Sequence, residues 1–512
     1  MPASGTGFGH KVSVLRNALS AYGNQALLAL TVIAITPILY RKLGAAGFGT
    51  WSVILTFASV FTLVEIGFGR GISKLTAEHL AAGRRKDLDE TVGVGATTLG
   101  AVGILCAATA VAVGFLADGL APSSLAHEFT VGMLVLAVER LLYFPTGSYY
   151  AALQGYQRFD LRNLISSINT VVFSVGALVA VLAGGGVVWL AVAFSVAHIL
   201  QGLLALVFLR RIDPALSLRP RLGARADRRR LVSLSSYVMF AESMTFISQR
   251  MDTVVIASVR NAAAAGPYAA LLKLQTGLQS LTLPVIYQLM PMASGLWARD
   301  DRRELEKRLV LATRATVQVT LPVAAVFAVF AGDITDLWLG NSAGHTAASI
   351  LVVLMLAQIF VLLGAPAEQV LIGIGRVRTI GLLSVVEGPL NLALSIGLVS
   401  AYGAVGACIG TLATSGVIAP LKLPLAGRAL GVSGRKLLVA SIVPAVLSSL
   451  PTLGVIVAIR LLVGPGEGRF FFGAGAGLTL AAAVAVAQIG PHRLLALLRV
   501  GAAPEPQTAI EA

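Results

Sequence analysis

SYVMFAESMTFISQRMDTVVIASVRNAAAAGPYAALLK, residues Ser236 to Lys273, is the stretch on which the reading of this chain turns. It reads as one hydrophobic helix, a short Ala/Gly elbow at Asn261–Pro267 and the start of a second helix. Four ionisable residues, Glu242, Arg250, Asp252 and Lys273, sit inside otherwise apolar sequence. In water they would be unremarkable. In a bilayer each is costly, so it faces a bundle interior, a partner or a wet cavity and marks function by default. Their meaning depends on whether the chain lies in a membrane.

Composition decides that. Hydrophobic residues make up 56% of the 512, charged residues 12%, and the mean hydropathy is +0.83. An ordinary globular chain carries roughly 25% charged residues. Apolar runs of about 20 residues, enough to cross about 30 Å of hydrocarbon, recur from end to end. They do not alternate in character as transmembrane β-strands do. The expected fold is an all-α polytopic membrane protein of about fourteen transmembrane helices. The spans fall near 17–40, 50–73, 91–116, 129–152, 163–183, 187–209, 234–258, 267–293, 310–331, 347–370, 379–400, 404–424, 438–461 and 470–489.

The net charge of +15 is a matter of topology. About 30 of the Lys and Arg residues fall in loops on one side, the positive-inside pattern. The other side holds only Arg41, Lys42, Arg260, Arg460 and Arg469. Both termini are therefore expected in the cytoplasm, and no nucleic-acid partner is implied. Cys106 and Cys408 lie in apolar segments and imply no disulfide framework. The first span ends at Tyr40-Arg41-Lys42 without a small-residue cleavage site, so it is expected to stay as a helix.

The chain also repeats itself. Ala45-Ala46-Gly47-Phe48 matches Ala264-Ala265-Gly266-Pro267-Tyr268, and Arg84-Arg85-Lys86-Asp87-Leu88 matches Asp301-Arg302-Arg303-Glu304-Leu305. Gly155-Tyr156-Gln157-Arg158 matches Gly373-Ile374-Gly375-Arg376, and Gly185-Gly186-Val187 matches Gly403-Ala404-Val405. The offsets are about 217 to 219 residues, a fixed-period duplication. Six spans per copy is an even number, so the copies share an orientation and are related by a pseudo-two-fold along the membrane normal. The expected layout is a tail at 1–15, an N-lobe at 16–210, a basic linker at 211–233, a C-lobe at 234–425, two further spans at 426–490 and a tail at 491–512.

Two facing bundles enclose a cavity, and the buried charges are its candidate lining. Arg140 falls about 11 residues into the fourth span, near the midplane, with Glu139 beside it. Sequence neighbours diverge by about 100° on a helix, so these two are not expected to pair with each other. Asp252 and Lys273 lie at equal depth and form an expected ion pair. The expected substrate-binding set is Arg140, Arg250 and Lys273, because guanidinium groups grip phosphate oxygens bidentately and two of them suit a diphosphate. Glu139, Glu242 and Asp252 are expected to couple an ion or to pair with these cations. The competing reading is that every one of these charges is internally paired and structural. Glu65, Arg70, Glu368 and Glu387 sit nearer the basic ends, where reaching water is cheap, and carry no functional expectation.

Enzyme signatures are lacking. There is no GxxxxGK[ST] loop, and Asp300-Asp301, flanked by Arg299, Arg302 and Arg303, reads as a solvated helix start. The histidines at 79, 127, 345 and 492 show no ligand spacing. No enzymatic activity and no cofactor are expected.

The opening span ending Tyr40-Arg41-Lys42-Leu43-Gly44, followed by Gly47-Phe48-Gly49-Thr50-Trp51, resembles the start of Wzx-type polysaccharide flippases of the multidrug/oligosaccharidyl-lipid/polysaccharide (MOP) exporter superfamily. So do Asp252, Ile256 and Gly266-Pro267-Tyr268, the Leu337-Trp338-Leu339-Gly340 loop and Gly155 to Arg158. The resemblance spans roughly residues 10 to 430. It implies two lobes around a cationic cavity, in a bacterial cytoplasmic (inner) membrane protein that moves undecaprenyl-diphosphate-linked glycans to the outer leaflet. It carries no site residue over. With it go expectations of alternating access, coupling to H+ or Na+, a lipid-linked glycan as substrate, polysaccharide polymerase machinery as partner and a monomeric state. The alternatives are a MATE-type cation-coupled drug exporter, whose sites favour carboxylates, and a lipid II flippase with the same diphosphate logic. A membrane glycan polymerase or ligase would carry a large outer loop, which this chain lacks.

Overall fold

A computed structural model describes residues 6–116, 119–222, 251–340, 344–464 and 467–489, and among them there is no strand. The first lobe contains α1 (Thr6–Ala81), α2 (Arg85–Leu116), α3 (Ala126–Gly155), α4 (Phe159–Leu182) and α5 (Val187–Ile212). The second contains α6 (Asp252–Val259), α7 (Ala262–Tyr287), α8 (Leu289–Ala298), α9 (Arg302–Val329), α10 (Ala331–Leu339), α11 (Gly344–Gly373), α12 (Val377–Tyr402) and α13 (Ala404–Leu430). Then come α14 (Gly434–Leu462) and α15 (Glu467–Ile489).

Ten helices among the described residues are long and apolar enough to cross a membrane. The first of them, Leu30–Ala81, has 52 residues, about 78 Å at about 1.5 Å per residue. That is more than twice the hydrocarbon thickness, so it makes two crossings. The break is at Gly44, whose φ of 69° and ψ of 174° lie where a side chain would be strained. The two limbs coincide with the expected spans near 17–40 and 50–73. The span expected near 234–258 lies mostly outside the described residues. The span expected near 267–293 is divided between α7 and α8, and the other expected spans each coincide with one of the helices above. Large side chains such as Leu105, Phe115, Val179, Leu382 and Leu461 are exposed over the outer faces. In water such a wall would aggregate, whereas in a bilayer it meets lipid.

The lobes meet through their opening elbows. Gly49 packs against the backbone carbonyl of Ala262, and Gly266 packs against that of Ala45, each too closely for a Cβ. Both pairs of partners are related by one offset of about 217 residues, so a single contact is made twice. A second duplicated contact lies within the lobes, where Gly155 abuts the carbonyl of Ser73 and Gly373 that of Met290. Small residues let helix backbones come this close in membranes. Two clasps reinforce the elbow end: Arg41 donates to the Leu337 carbonyl, and Trp338 Nε1 donates to the Ile33 carbonyl at 3.1 Å. Arg260 caps the Val399 and Ser400 carbonyls at 3.1 and 2.6 Å, and Arg469 bonds Asp333 at 2.5 Å.

At the opposite end the linker's first residues lie across the first lobe. Ser217 N donates to Asp89 at 2.9 Å, Tyr149 to the Leu218 carbonyl at 2.7 Å and Arg221 N to the Gly93 carbonyl at 3.1 Å. Asp213 anchors this strap, accepting from Arg85 through both carboxylate oxygens and from Tyr156 at 2.6 Å. The Arg85 guanidinium holds the Asp213 carboxyl below the usual carboxylate range, against the opposing effect of burial. A carboxyl lowered in the folded state stabilises at pH above its unfolded value, and that stability is lost as pH falls through the lowered one. The melting temperature of Asp213→Asn is therefore expected below wild type at neutral pH, with the gap closing in acid. Arg85 is 43% exposed, so solvent limits the effect to about 1 kcal/mol. A gap that persists unchanged into strong acid would assign it to packing instead.

Candidate functional site

Two polar assemblies lie inside the helices, one in each lobe. In the first, α3 presents Glu139, Arg140 and Tyr143, of which Glu139 and Tyr143 share a face at i, i+4. The second limb of α1 brings Glu65, and α5 brings His198 and Gln201. Tyr143 donates to Glu65 at 2.8 Å and accepts from Gln201 at 2.8 Å. His198 Nδ1 lies 3.1 Å from Glu139 Oε1 and 3.4 Å from Arg140 Nη2. The Arg140 guanidinium sits 5.2 and 5.8 Å from the ring centres of Phe144 and Tyr143, a cation–π arrangement.

This corrects two expectations. Arg140 Nε is paired with the Oε2 of its neighbour Glu139, and both side chains are fully buried. The 100° divergence applies at Cβ; beyond it the two flexible stems curl together, because an unpaired charge in this interior costs far more than a less favoured rotamer. Arg140 is therefore not a free cation on a cavity wall.

In the second lobe Asp252, from α6, accepts three hydroxyl hydrogen bonds. Ser395 donates at 2.7 Å, Thr411 at 3.0 Å and Tyr268 at 3.1 Å. Asn391 donates to Thr411 and Thr414 at 3.1 and 3.2 Å, while its Oδ1 is buried without a partner. No cation among the described residues lies within salt-bridge distance of Asp252, so the expected Asp252–Lys273 pair is also corrected. Hydroxyls from three other helices supply what the ammonium was expected to supply.

Asp252 closes one end of a cavity of about 240 Å³ whose described lining residues all belong to the second lobe. Gln275 and Gln279, both donating to Gln358 at 2.8 and 3.0 Å, lie along it. Glu368, Glu387 and Lys422 line the wall towards the basic end, with Lys422 donating to Glu368 at 2.7 Å. Thr411 and Lys422 are separated by about 16 Å of helix. The slot thus offers hydroxyl and amide groups between a buried carboxylate and an ion pair.

Lys273 lies elsewhere, in a smaller cavity of about 40 Å³ between the lobes. It faces Ser52, Thr56 and Ser59 of α1 and Thr253 of α6. Those serines and threonines recur on one face of α1 at helical spacing. Glu242 and Arg250 lie outside the described residues. Of the expected set, the structure thus puts Lys273 between the lobes, Asp252 in the second and Glu139 with Arg140 in the first. Glu65, expected to reach water near the basic end, instead accepts from Tyr143 inside the first lobe. His198, Ser395 and Thr411 carried no signal, since single hydroxyls abound in apolar helices and His198 stands alone.

Comparison with known proteins bears out the resemblance of the opening hairpin. A putative O-antigen transporter of Shigella flexneri is 19% identical over 410 residues, covering 78% of this chain and 94% of the relative. A lipid II flippase, MurJ, in an inward closed conformation superposes with a TM-score of 0.71 at 13% identity, covering 94% of this chain and 99% of the other. An inward-facing multidrug resistance MATE family transporter of the MOP superfamily gives 0.70 at 14%, covering 79% and 98%. The family model for polysaccharide biosynthesis proteins matches residues 14–297, more than half of the chain. The chain belongs to the polysaccharide biosynthesis protein family, and its long apolar helices make it a multi-pass membrane protein.

Proposed function

We propose that the protein flips a lipid-linked oligosaccharide, carried on undecaprenyl diphosphate, from the cytoplasmic to the outer leaflet of the bacterial inner membrane during surface polysaccharide biosynthesis. The observation that carries this reading is the cavity between the lobes, where Lys273 faces the hydroxyls of α1 beneath the sealed elbows. A diphosphate is held by a cation and by hydroxyls. This cavity presents Lys273 with Ser52, Thr56 and Ser59, whose hydroxyls donate to the carbonyls four residues back and would turn from them to the phosphate. The lobes rock about their contact, opening first to the basic, cytoplasmic side and then to the elbow side. Asp252, in its nest of hydroxyls, is the carboxylate that couples H+ or Na+ to the second-lobe cavity. Both termini are cytoplasmic, the chain works as a monomer, and polysaccharide polymerase machinery receives the product.

Deleting the protein is expected to abolish surface polysaccharide and to accumulate its lipid-linked precursor. Lys273→Gln, at normal membrane abundance, is expected to lower surface polysaccharide about tenfold or more, since a hydrogen bond to a charged group is worth about 1.5–3 kcal/mol. Unchanged polysaccharide in the Gln variant would remove Lys273 from the substrate path. A phenotype confined to drug sensitivity, with normal polysaccharide, would favour an exporter.

A further inference from the structure

The charged assembly of the first lobe is not used by the translocation proposed above. It holds two carboxylates, Glu65 and Glu139, against one guanidinium, Arg140. The groups facing it from the packed elements are Cys106 on α2, Tyr143 and Tyr150 on α3 and His198 on α5. The thiol and phenols are uncharged at neutral pH, so they do not alter the count. Arg162 of α4 is spent elsewhere, on the Tyr150 ring and on Gln154 at 2.6 Å. With both carboxylates ionised, one negative charge is left over among the described residues. Surplus charge in a dry interior is so costly that a buried assembly takes up a proton to cancel it.

The geometry provides a place for that proton. His198 Nδ1 lies within reach of an acceptor, Glu139 Oε1, and of a donor, Arg140 Nη2. One ring nitrogen cannot serve both at once. Protonated, it donates to Glu139; deprotonated, it accepts from Arg140. Glu139 and Arg140 are fully buried, whereas His198 keeps 19% of its side chain exposed and Glu65 is partly exposed, so water reaches the assembly at His198 and Glu65.

We propose that Glu65, Glu139, Arg140 and His198 form a binding site for one proton, carried on His198 and exchanged with water. Binding forms an N–H bond at Nδ1 and breaks none within the chain. It makes the assembly neutral, changes Nδ1 from an acceptor for Arg140 to a donor to Glu139 and deprives Arg140 Nη2 of that acceptor. Since Arg140 Nη1 already lacks a partner, the guanidinium must then reorient between α3 and α5. Each proton is thus tied to a change at that helix contact.

The test is a proton count on the purified full chain in lipid nanodiscs, by acid–base titration through neutrality. Wild type is expected to take up one proton more than His198→Gln. Glu139→Gln is expected to lose the same single proton, because removing one negative charge leaves the assembly neutral without it. The double variant should lose no more than either single one. A Glu139→Gln chain that still takes up the full wild-type count would overturn the proposal, since His198 would then be an ordinary histidine. Should a variant fail to fold, nitrogen NMR of the wild-type His198 ring decides: the site requires a change from a doubly protonated ring to the Nε2–H form across neutrality, and a single form throughout overturns it. That the proton drives flipping rests on the transport reading. A proton count as expected, with polysaccharide output unchanged in His198→Gln, would remove the coupling and leave the site.

Discussion

Gly49→Ala is expected to part the two lobes at the elbow end. The added methyl would fall on the backbone carbonyl of Ala262, nearer than real Cβ atoms come, and a backbone cannot swing aside as a side chain does. Overpacking costs about 1–3 kcal/mol where side chains can yield, so the upper part of that range is expected here. The strain is relieved if the elbows separate, and with them the Arg41 and Trp338 clasps. Gly266→Ala meets Ala45 in the same way and should behave alike. Combining the two should cost less than their sum, because the first substitution already opens the gap the second needs. Gly295→Ala is the control: nothing lies within 4 Å of its Cβ position, and Ala in a helix is favoured over Gly by roughly 0.5–1 kcal/mol. Thermal unfolding in detergent measures all four. A Gly49→Ala protein that melts like wild type would show that the elbows do not pack this closely.

Arg140→Gln is expected to be the most destabilising polar substitution. It leaves Glu139 buried with its charge uncompensated, and breaking a buried pair from one side costs about 3–5 kcal/mol. Glu139→Gln should cost less, since Glu65 remains in the assembly with Arg140. The double variant Glu139→Gln/Arg140→Gln is expected to recover most of the loss, as removing both members of a buried pair often does. Equal losses for the two single variants would show that Glu65 contributes nothing to balancing the guanidinium. Denaturation in mixed micelles gives the three differences.

The architecture was legible because its causes are local. A crossing helix needs a fixed length of apolar sequence, so the span expected at 187–209 appears as Val187–Ile212. The elbows were legible for another reason: Gly47-Phe48-Gly49 and Ala265-Gly266-Pro267 stand at one offset, and the same offset later relates the atoms they touch. The polar assemblies were legible only in part. Asp252 stood out as a carboxylate in apolar sequence, but its partners Ser395 and Thr411 lie more than a hundred residues away among many unremarkable hydroxyls. Helical periodicity says which residues share a face and nothing about which helix that face meets. Arg140 misled for the opposite reason. Its partner was the adjacent residue, and backbone geometry alone cannot foresee how two long side chains curl.

The reciprocal elbow contact has one more consequence. Gly49 on Ala262 and Gly266 on Ala45 form a surface that each lobe offers to a copy of itself, the self-complementary kind that builds symmetric dimers. Seen so, the chain is a homodimer whose two subunits have been joined end to end and then allowed to diverge. The covalent join serves mainly to keep the partners at high mutual concentration. A chain cut within the basic linker, at residues 223–233, and produced as two fragments in one cell is therefore expected to assemble and to retain the elbow seal.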